Sequence, residues 1–373
     1  MRVLVLNPGS ATLKATVLDT PAREPRFDET VDWADDASGG EREEVVRAIL
    51  AEIDAAGVPP GSIGAVGYRV VHGGTRFTEP TVVSDDTVNA IDELADLAPL
   101  HNPLAVATIR AGRASLPGVP HVAAFDTAFH ASLPEAARRY PLPDRWLDEW
   151  GVRRYGFHGL SVSWSTRRAG ELLERPVGDL RLVVAHLGGG CSVTAVDGGR
   201  SVDTSMGLTP LEGLMMGTRA GSIDPGAIVR VLRLGTALEA LAEDLEHRSG
   251  LLGVSGRTAD MRELLELEAA GDARARLAIE MFVRRAAAGI AAAATTLPAL
   301  DALAFTGGIG ENAGSIRARI AERLAVLGVS QDQVGTDHAA GDIVLAAGPP
   351  AVLLVRTRED VVIAEAAAAA LAG

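Results

Sequence analysis

Residues 2–17 read RVLVLNPGSATLKATV, and residues 181–196 read RLVVAHLGGGCSVTAV. In each, a β-branched apolar run meets a cluster of turn-forming residues and a second apolar run follows. That is the pattern of two strands joined by a tight turn. Gly188 falls where Gly9 falls. A chain of 373 residues is too long for one compact core and implies two domains. A hairpin that recurs half a chain later then points to a duplicated domain with two loops able to face phosphate. Two unrelated hairpins are the plainer alternative.

The first turn carries Asn7, Ser10, Thr12 and Lys14, small polar or cationic groups. Successive backbone N–H groups at such a turn, with an ammonium nearby, suit a phosphate. Lys14 is the only lysine among 35 lysines and arginines. A compact ammonium on a flexible stem can meet one phosphate oxygen in a way that a planar guanidinium cannot.

Composition excludes some functions. A net charge of −14 leaves no basic stripe for a nucleic-acid backbone, although a few arginines in a cleft can still bind a small anion. Cys191 is the only cysteine, so no intrachain disulfide forms, which suits a reducing cytoplasm. The apolar start is too short for a signal segment. Residues 286–300 are apolar but too short to span a membrane. The expectation is a soluble, cytoplasmic protein with no nucleic-acid or membrane partner.

Along the chain, strands alternate with helices, an α/β scheme whose ligand site lies beyond the strand ends. Residues 20–42 read as a loop with a peripheral strand, 43–56 as a helix and 65–71 as a strand entering His72-Gly73-Gly74. A helix is expected over 85–97. Asn102-Pro103 opens another, with Asn as N-cap and Pro at the first helical position. A strand over 121–125 ends at Asp126. The second half restarts with a helix over 162–173 and the second hairpin, then a Gly-, Thr- and Met-rich stretch over 202–226. Helices follow at 227–234, 258–269 and 273–297. A strand over 303–306 opens onto Gly307-Gly308-Ile309-Gly310-Glu311-Asn312, a third glycine turn before a helix. A strand over 351–355 and a helix over 360–371 close the chain.

Charged or polar residues stand beside glycine or at strand ends: Arg69, His72, Asp126, His158, His186, Arg219, Asp224 and Glu359. Singly, an arginine is usually a solvated surface residue and a histidine a satisfied structural one. Together with three glycine turns and one lysine, the set suits phosphoryl transfer, which is catalysed mainly by positioning and charge. Glycine turns approach phosphates, Lys and Arg neutralise them, and Asp or Glu can hold Mg²⁺. The pattern GxxxxGK[ST] is absent, so this is not a P-loop enzyme. Cys191 reads as a serine substitute in a turn, and Met206, Met215 and Met216 as packing.

Ten segments in order make the chain closely similar to the acetate kinase family: NPGSATLK (7–14), YRVVHGG (68–74), APLHNP (98–103), FDTAFH (125–130), YGFHG (155–159), HLGGGCS (186–192), SMGLTPLEGLMMGTRAGSIDP (205–225), GVSG (253–256), FTGGIGEN (305–312) and TRED (357–360). The resemblance implies a duplicated ribonuclease-H-like fold of the sugar kinase, Hsp70 and actin superfamily, with two α/β domains around a central cleft. It places domain I at 1–128 plus 361–373 and the nucleotide-binding domain II at 129–360. The implied reaction is reversible, Mg²⁺-dependent transfer of the ATP γ-phosphoryl group to acetate, giving acetyl phosphate and ADP. Mn²⁺ is expected to substitute for Mg²⁺, and a homodimer is expected.

The resemblance also assigns roles. Asn7, Ser10, Thr12 and Lys14 would face the transferring phosphate. Arg69 and Arg219 would hold the carboxylate and the phosphoryl group, His158 would stabilise the transition state, and His101 would support the site. Asp126, Glu359 and Asn7 would organise Mg²⁺ and substrate. His186, Leu187, Gly188, Gly189 and Gly190 would cradle nucleotide phosphates. Asp260, Met261, Arg262, Gly307, Gly308, Ile309 and Gly310 would hold the adenosine. Val71, Leu100, Phe157 and Pro210 would form the methyl pocket. A carboxylate nucleophile is already ionised at neutral pH and needs no general base, so direct in-line transfer is expected, with Asp126 positioning.

The chain departs from the family pattern at several positions. Gly189 and Arg358 replace asparagines, Ala11, Thr12 and Cys191 replace serines, and Tyr68 replaces a histidine. A weakened hold on nucleotide is expected from Gly189, and Arg358 adds a cation beside Glu359. Propionate or butyrate kinase is the nearest alternative; Val71 narrows the pocket and favours acetate, with one methylene worth roughly 1–3 kcal/mol. A catalytically silent nucleotide-binding relative is the other.

Overall fold

The computed structural model describes residues 1–9, 12–32, 39–334 and 341–372. Both repeated segments are hairpins. Strand β1 (Arg2–Pro8) pairs antiparallel with β2 (Thr12–Asp19), which pairs with β3 (Pro25–Asp32). β4 (Ala65–Val70) and β6 (His121–Phe125) extend the other side of β1 in parallel, and the two-residue β5 (Thr81–Val82) closes the sheet antiparallel to β6. The order is β3-β2-β1-β4-β6-β5.

In the second half, β7 (Arg181–Leu187), β8 (Cys191–Asp197) and β9 (Arg200–Thr204) form the antiparallel part. β10 (Ala302–Thr306) and β12 (Ala351–Leu354) run parallel to β7, and β11 (Ile343–Ala346) closes the edge. The order β11-β12-β10-β7-β8-β9, read backwards, repeats the first sheet strand for strand, with the same parallel and antiparallel pairings. The fold is therefore a duplicated α/β scheme. The turns differ in detail. Asn7 pairs with Lys14 and Pro8 with Leu13, whereas His186 pairs with Ser192 and Leu187 with Cys191. The second turn is one residue shorter, so Ser192 stands opposite His186 as Lys14 stands opposite Asn7.

The chain divides into two compact units, Met1–Ala131 with Arg358–Gly373, and Ser132–Thr357. In the first, the sheet buries Leu4, Leu6, Val17, Tyr68 and Phe125 against Ile49 and Ile53 of the helix Gly39–Ala55 and Val106 and Ile109 of the helix Asn102–Ser115. The closing helix Glu359–Ala370 packs on β1, β4 and β6. Fully buried Leu, Ile and Phe side chains contribute about 1.5–3 kcal/mol each, which anchors the strand ends that carry the polar residues. In the second unit, the helices Ala273–Ala294 and Gly159–Leu172 pack on the sheet through β7.

Several expectations are corrected. The helix expected over 85–97 stops as Asp85–Asp92, and a single 3₁₀ turn, Ala95–Leu97, follows where Leu94 lies against Gly74. Asn102 does not cap its helix. His101 holds that position, and the Asn102 amide reaches instead to the backbone of His72. The 307–312 glycine run is not a turn ahead of a helix: the helix Gly307–Asn312 begins at once. Gly307 makes the step with φ +79°, and a Cβ there would lie 2.7 Å from the Leu187 carbonyl oxygen, so only glycine fits. The helix expected after the glycine run is Gly314–Arg323, whereas the strands β5, β9 and β11 and the helices Leu238–His247 and Gly250–Ser255 were not anticipated. Among the described residues, no helix is long and apolar enough to cross a membrane.

Candidate active site

Polar residues gather at the carboxyl ends of the parallel strands of the first unit, where α/β sheets place ligands. Arg69 lies next to the end of β4, Asp126 follows β6, Asn7 lies near the end of β1, and Glu359 begins the closing helix. Arg69 Nη2 stands 2.6 Å from Asp126 Oδ2, and its Nε lies 3.1 Å from the same oxygen and 3.2 Å from Oδ1. Arg69 Nε is also 3.6 Å from Glu359 Oε2, to which the Asn7 amide donates at 3.3 Å. One guanidinium thus sits between two carboxylates. Burial works against its charge, but Asp126 and Glu359 hold its pKa well above the ordinary arginine value. Burial pushes the Asp126 carboxyl up to about 6; Arg69 opposes the shift and Glu359 adds to it.

The loop after β4 is fixed from below. Asn102 Oδ1 accepts the His72 N–H at 3.1 Å, and its amide donates to the His72 carbonyl at 3.0 Å. The Gly74 N–H donates to His72 Nδ1 at 2.9 Å and the Gly73 N–H to Thr127 Oγ1 at 3.0 Å. Val71, at the head of that loop, is buried, whereas Leu100 is exposed. Lys14 faces the same side of the sheet as Asn7, its cross-strand neighbour, and its Nζ pairs with Asp28 at 3.1 Å. The Thr12 carbonyl closes the turn by accepting the Gly9 N–H at 2.7 Å. Ser10 and Ala11 lie outside the described residues. Arg358 is not a spare cation beside Glu359, because its guanidinium is tied to Asp360 at 2.9–3.1 Å and to the Arg23 carbonyl.

The second unit carries another cluster. His158 precedes the helix Gly159–Leu172 in the left-handed region, φ 58°, conformational strain of the kind that gathers at functional positions. Its ring stacks on that of His186, with centroids 4.1 Å apart and planes at 23°. His158 Nδ1 lies 3.0 Å from the Ser192 hydroxyl, and His186 Nδ1 lies 2.9 Å from that of Ser161. A Cβ on residue 190 would stand 3.2 Å from His158 Nε2 and 3.8 Å from Arg219 Nη1, so Gly190 leaves room for both side chains. Arg219 Nη1 donates to the Pro210 carbonyl at 3.4 Å. Phe157 is buried beside His158.

Next to this cluster opens a cavity of about 860 Å³, walled by Gly188 and Gly189 of the second hairpin, by Asp260, Met261 and Arg262, and by Gly308 and Ile309. A volume of that size suits a large small-molecule ligand. His186, Leu187, Gly190, Gly307 and Gly310 do not line it. Gly307 and Gly310 pack on Leu187 behind the wall and set the two glycine segments against each other. The cavity also takes in Ala259, Leu265, Asn312, Ala313 and Ser315, which sequence reasoning missed; only Asn312 lay in a recognised motif. Asp260 caps the helix Met261–Ala269, accepting the Arg262 N–H at 2.7 Å and the Arg262 guanidinium at 2.6 Å. The Arg262 hydrogen bond holds the Asp260 carboxyl below its ordinary value. Asp224 is likewise a helix cap, accepting the Gly226 N–H at 2.8 Å. Cys191 is buried with Sγ 3.2 Å from the Gly188 carbonyl, and burial pushes its thiol up to about 12. A thiol so placed is not a reactive thiolate.

The sequence matches the Acetokinase family over residues 27–365. The chain belongs to the acetokinase family. A relative named acetate kinase from Synechococcus sp. is 50% identical over 307 residues, which cover 82% of this chain and 76% of the relative. Among solved acetokinase structures, the Porphyromonas gingivalis acetate kinase superposes with a TM-score of 0.90 at 32% identity, over 99% of each chain. A propionate kinase from Francisella tularensis subsp. tularensis superposes with a TM-score of 0.87 at 34% identity, also over 99% of each chain.

Proposed function

We propose that this acetokinase-family protein transfers the γ-phosphoryl group of ATP to acetate, and the reverse. The observation that carries the reading is Arg69, a partly buried guanidinium locked by Asp126 and Glu359 beside the buried Val71. It is a place for a small carboxylate. In this reading an acetate oxygen attacks the γ-phosphorus, the bond from that phosphorus to the bridging oxygen breaks, and the electron pair leaves with ADP. No proton moves, because acetate is already ionised. Arg69 orients the nucleophile, while Arg219 neutralises charge on the phosphoryl oxygens and His158 hydrogen-bonds them in the transition state. Asp126 holds Arg69, and the cavity walled by Gly189, Asp260 and Ile309 takes the nucleoside.

Mg²⁺ belongs to this reading, with Mn²⁺ as a substitute. Among the described residues, no group of three or more His, Cys, Asp and Glu side chains could enclose a metal. Mg²⁺ does not require one, since it usually keeps waters and takes one or two carboxylates plus substrate phosphates. Oxygen donors of Glu359 and Asn7 suit it, while Asp126 is taken up by Arg69. The bound ion would supply neutralising charge at the phosphates.

A homodimer and a cytoplasmic setting complete the proposal. The helix Pro225–Arg233 buries none of its residues although Ile228, Val229, Val231 and Leu232 are apolar, and Ile223, Leu234 and Leu238 nearby are exposed. An uncovered apolar face of this kind fits a second copy of the chain. The buried, unbridged Cys191 fits a reducing compartment.

Propionate as the preferred acid is the second reading, favoured by the likeness to the Francisella enzyme. The deciding experiment traps acyl phosphate with hydroxylamine from Mg-ATP and acetate, propionate or butyrate in parallel. Acetate foremost supports the proposal, and a longer acid foremost replaces acetate while keeping the mechanism. No acyl phosphate from any acid, with ATP still bound, makes the protein a catalytically silent relative.

A further inference from the structure

The short helix Gly307–Asn312 forms one wall of the cavity through Gly308, Ile309 and Asn312, yet it is too short to hold its own shape. It is held at both ends by side chains. At its start, Glu311 Oε1 accepts the Gly307 N–H at 3.1 Å. The same oxygen accepts the Thr357 N–H at 2.9 Å and the Thr357 hydroxyl at 2.7 Å. Thr357 Oγ1 in turn accepts the Gly307 N–H at 3.2 Å and lies 3.1 Å from Thr306 Oγ1. At its end, the fully buried Arg317 donates to the Gly310 carbonyl at 2.7 Å and the Glu311 carbonyl at 3.1 Å. A negative group at the first N–H and a positive group at the last carbonyls both oppose the helix dipole.

We infer that Glu311 is a positioning residue for the nucleotide: its carboxylate pins the Gly308–Ile309 wall to Thr357, just beyond the end of β12. The inference rests on reading this cavity as the nucleotide site. Gly307 cannot serve alone, because its left-handed step leaves its N–H pointing to side chains rather than into a ladder. Without Glu311 the N–H groups of Gly307 and Thr357 lose their shared acceptor, and the wall is free to shift. A displacement of about 1 Å at a ligand wall weakens binding by on the order of tenfold or more.

All three bonds fall on one oxygen, which makes the role separable from charge. Glu311→Gln retains an acceptor oxygen in the same place, whereas Glu311→Ala retains none. The wild-type enzyme is first assayed for ADP binding by calorimetry and for acyl phosphate formation. Loss of both in the wild type would overturn the nucleotide reading itself and this inference with it. Given a working wild type, Glu311→Ala is expected to raise the nucleotide KM about tenfold or more, with kcat and the acetate KM changed less than threefold, and Glu311→Gln to stay within about threefold of wild type. Where Glu311→Ala does not fold by circular dichroism, Thr357→Val serves instead, with an expected nucleotide KM rise of about threefold. A folded Glu311→Ala, or in its place Thr357→Val, with an unchanged nucleotide KM would overturn the inference. So would a Gln variant as impaired as the Ala variant, or equal rises in nucleotide and acetate KM.

Discussion

Arg69 and Asp126 meet as an ion pair, Nη2 to Oδ2 at 2.6 Å, with the carboxylate side chain 1% exposed and the arginine partly buried. The pairing joins the ends of β4 and β6, and the Asp126 N–H returns to the Val70 carbonyl at 3.0 Å. The carboxylate therefore has a fixed frame from which to aim the guanidinium. Asp126→Asn keeps the shape and one acceptor oxygen but removes the charge, leaving Glu359 as the carboxylate that holds Arg69. It is expected to lower kcat/KM for acetate by on the order of a hundredfold while far-UV circular dichroism stays unchanged. Activity within a few-fold of wild type would remove Asp126 from the positioning role.

Lys14 is half exposed and already has an anionic neighbour, Asp28. A guanidinium in its place would bond that carboxylate through two N–H groups and be drawn from the phosphate side. Lys14→Arg is expected to lower kcat about tenfold or more with the melting temperature within a degree or two. An unaltered kcat would show that any cation serves there.

No atom lies within 4 Å of a Cβ built on Gly189, which forms part of the cavity wall. Gly189→Asn therefore adds an amide without displacing anything. The expected outcome is a nucleotide KM lowered a few-fold, since one added hydrogen bond is worth about 0.5–1.5 kcal/mol. A raised or unchanged KM would mean that the glycine costs the enzyme nothing.

Asp301, just before β10, accepts Arg181 Nε at 2.7 Å, the Arg181 N–H at 2.9 Å and Arg175 Nη1 at 3.1 Å. Burial works the other way, but these donors hold the carboxyl below its ordinary value. A carboxyl with a depressed folded-state pKa contributes stability above its unfolded pKa of about 4 and loses it as pH falls further. Asp301→Asn should cost about 1–3 kcal/mol at pH 7, with the penalty shrinking as pH falls below the unfolded value of about 4. Urea melts of both proteins at pH 7 and pH 3 test this; an equal penalty at the two pH values would contradict it.

Leu232 and Val229 are exposed on the unburied helix Pro225–Arg233. Leu232→Glu is expected to shift the protein from dimer to monomer in light scattering after gel filtration, with the fold intact. A wild-type monomer would overturn the proposed dimer, and a variant that remains a dimer would move the interface elsewhere.

Much of this was legible in the residue order because the signals are local. A β-branched run, a glycine turn and a second apolar run specify a hairpin within sixteen or so residues, and the recurrence at 181–196 pointed to the duplication that the two sheets show. The strand-end residues Arg69 and Asp126, and His158 beside its glycine, were nameable for the same reason. The edge strands β5, β9 and β11 were not, because short, half-buried strands take their conformation from their neighbours more than from their own propensity.

What the sequence determined by itself is the repeated strand plan, the positions of its turns and the inventory of groups at the strand ends. Tertiary structure alone decided what those groups hold. Asn102 grips the His72 backbone instead of capping a helix, and Arg358 closes on Asp360 instead of standing as a spare cation beside Glu359. Glu311 reaches Thr357 across 46 residues of chain. Hydrogen-bond partners are chosen by proximity in the folded chain, and burial obliges each polar group to find one; no local pattern encodes which one it will be.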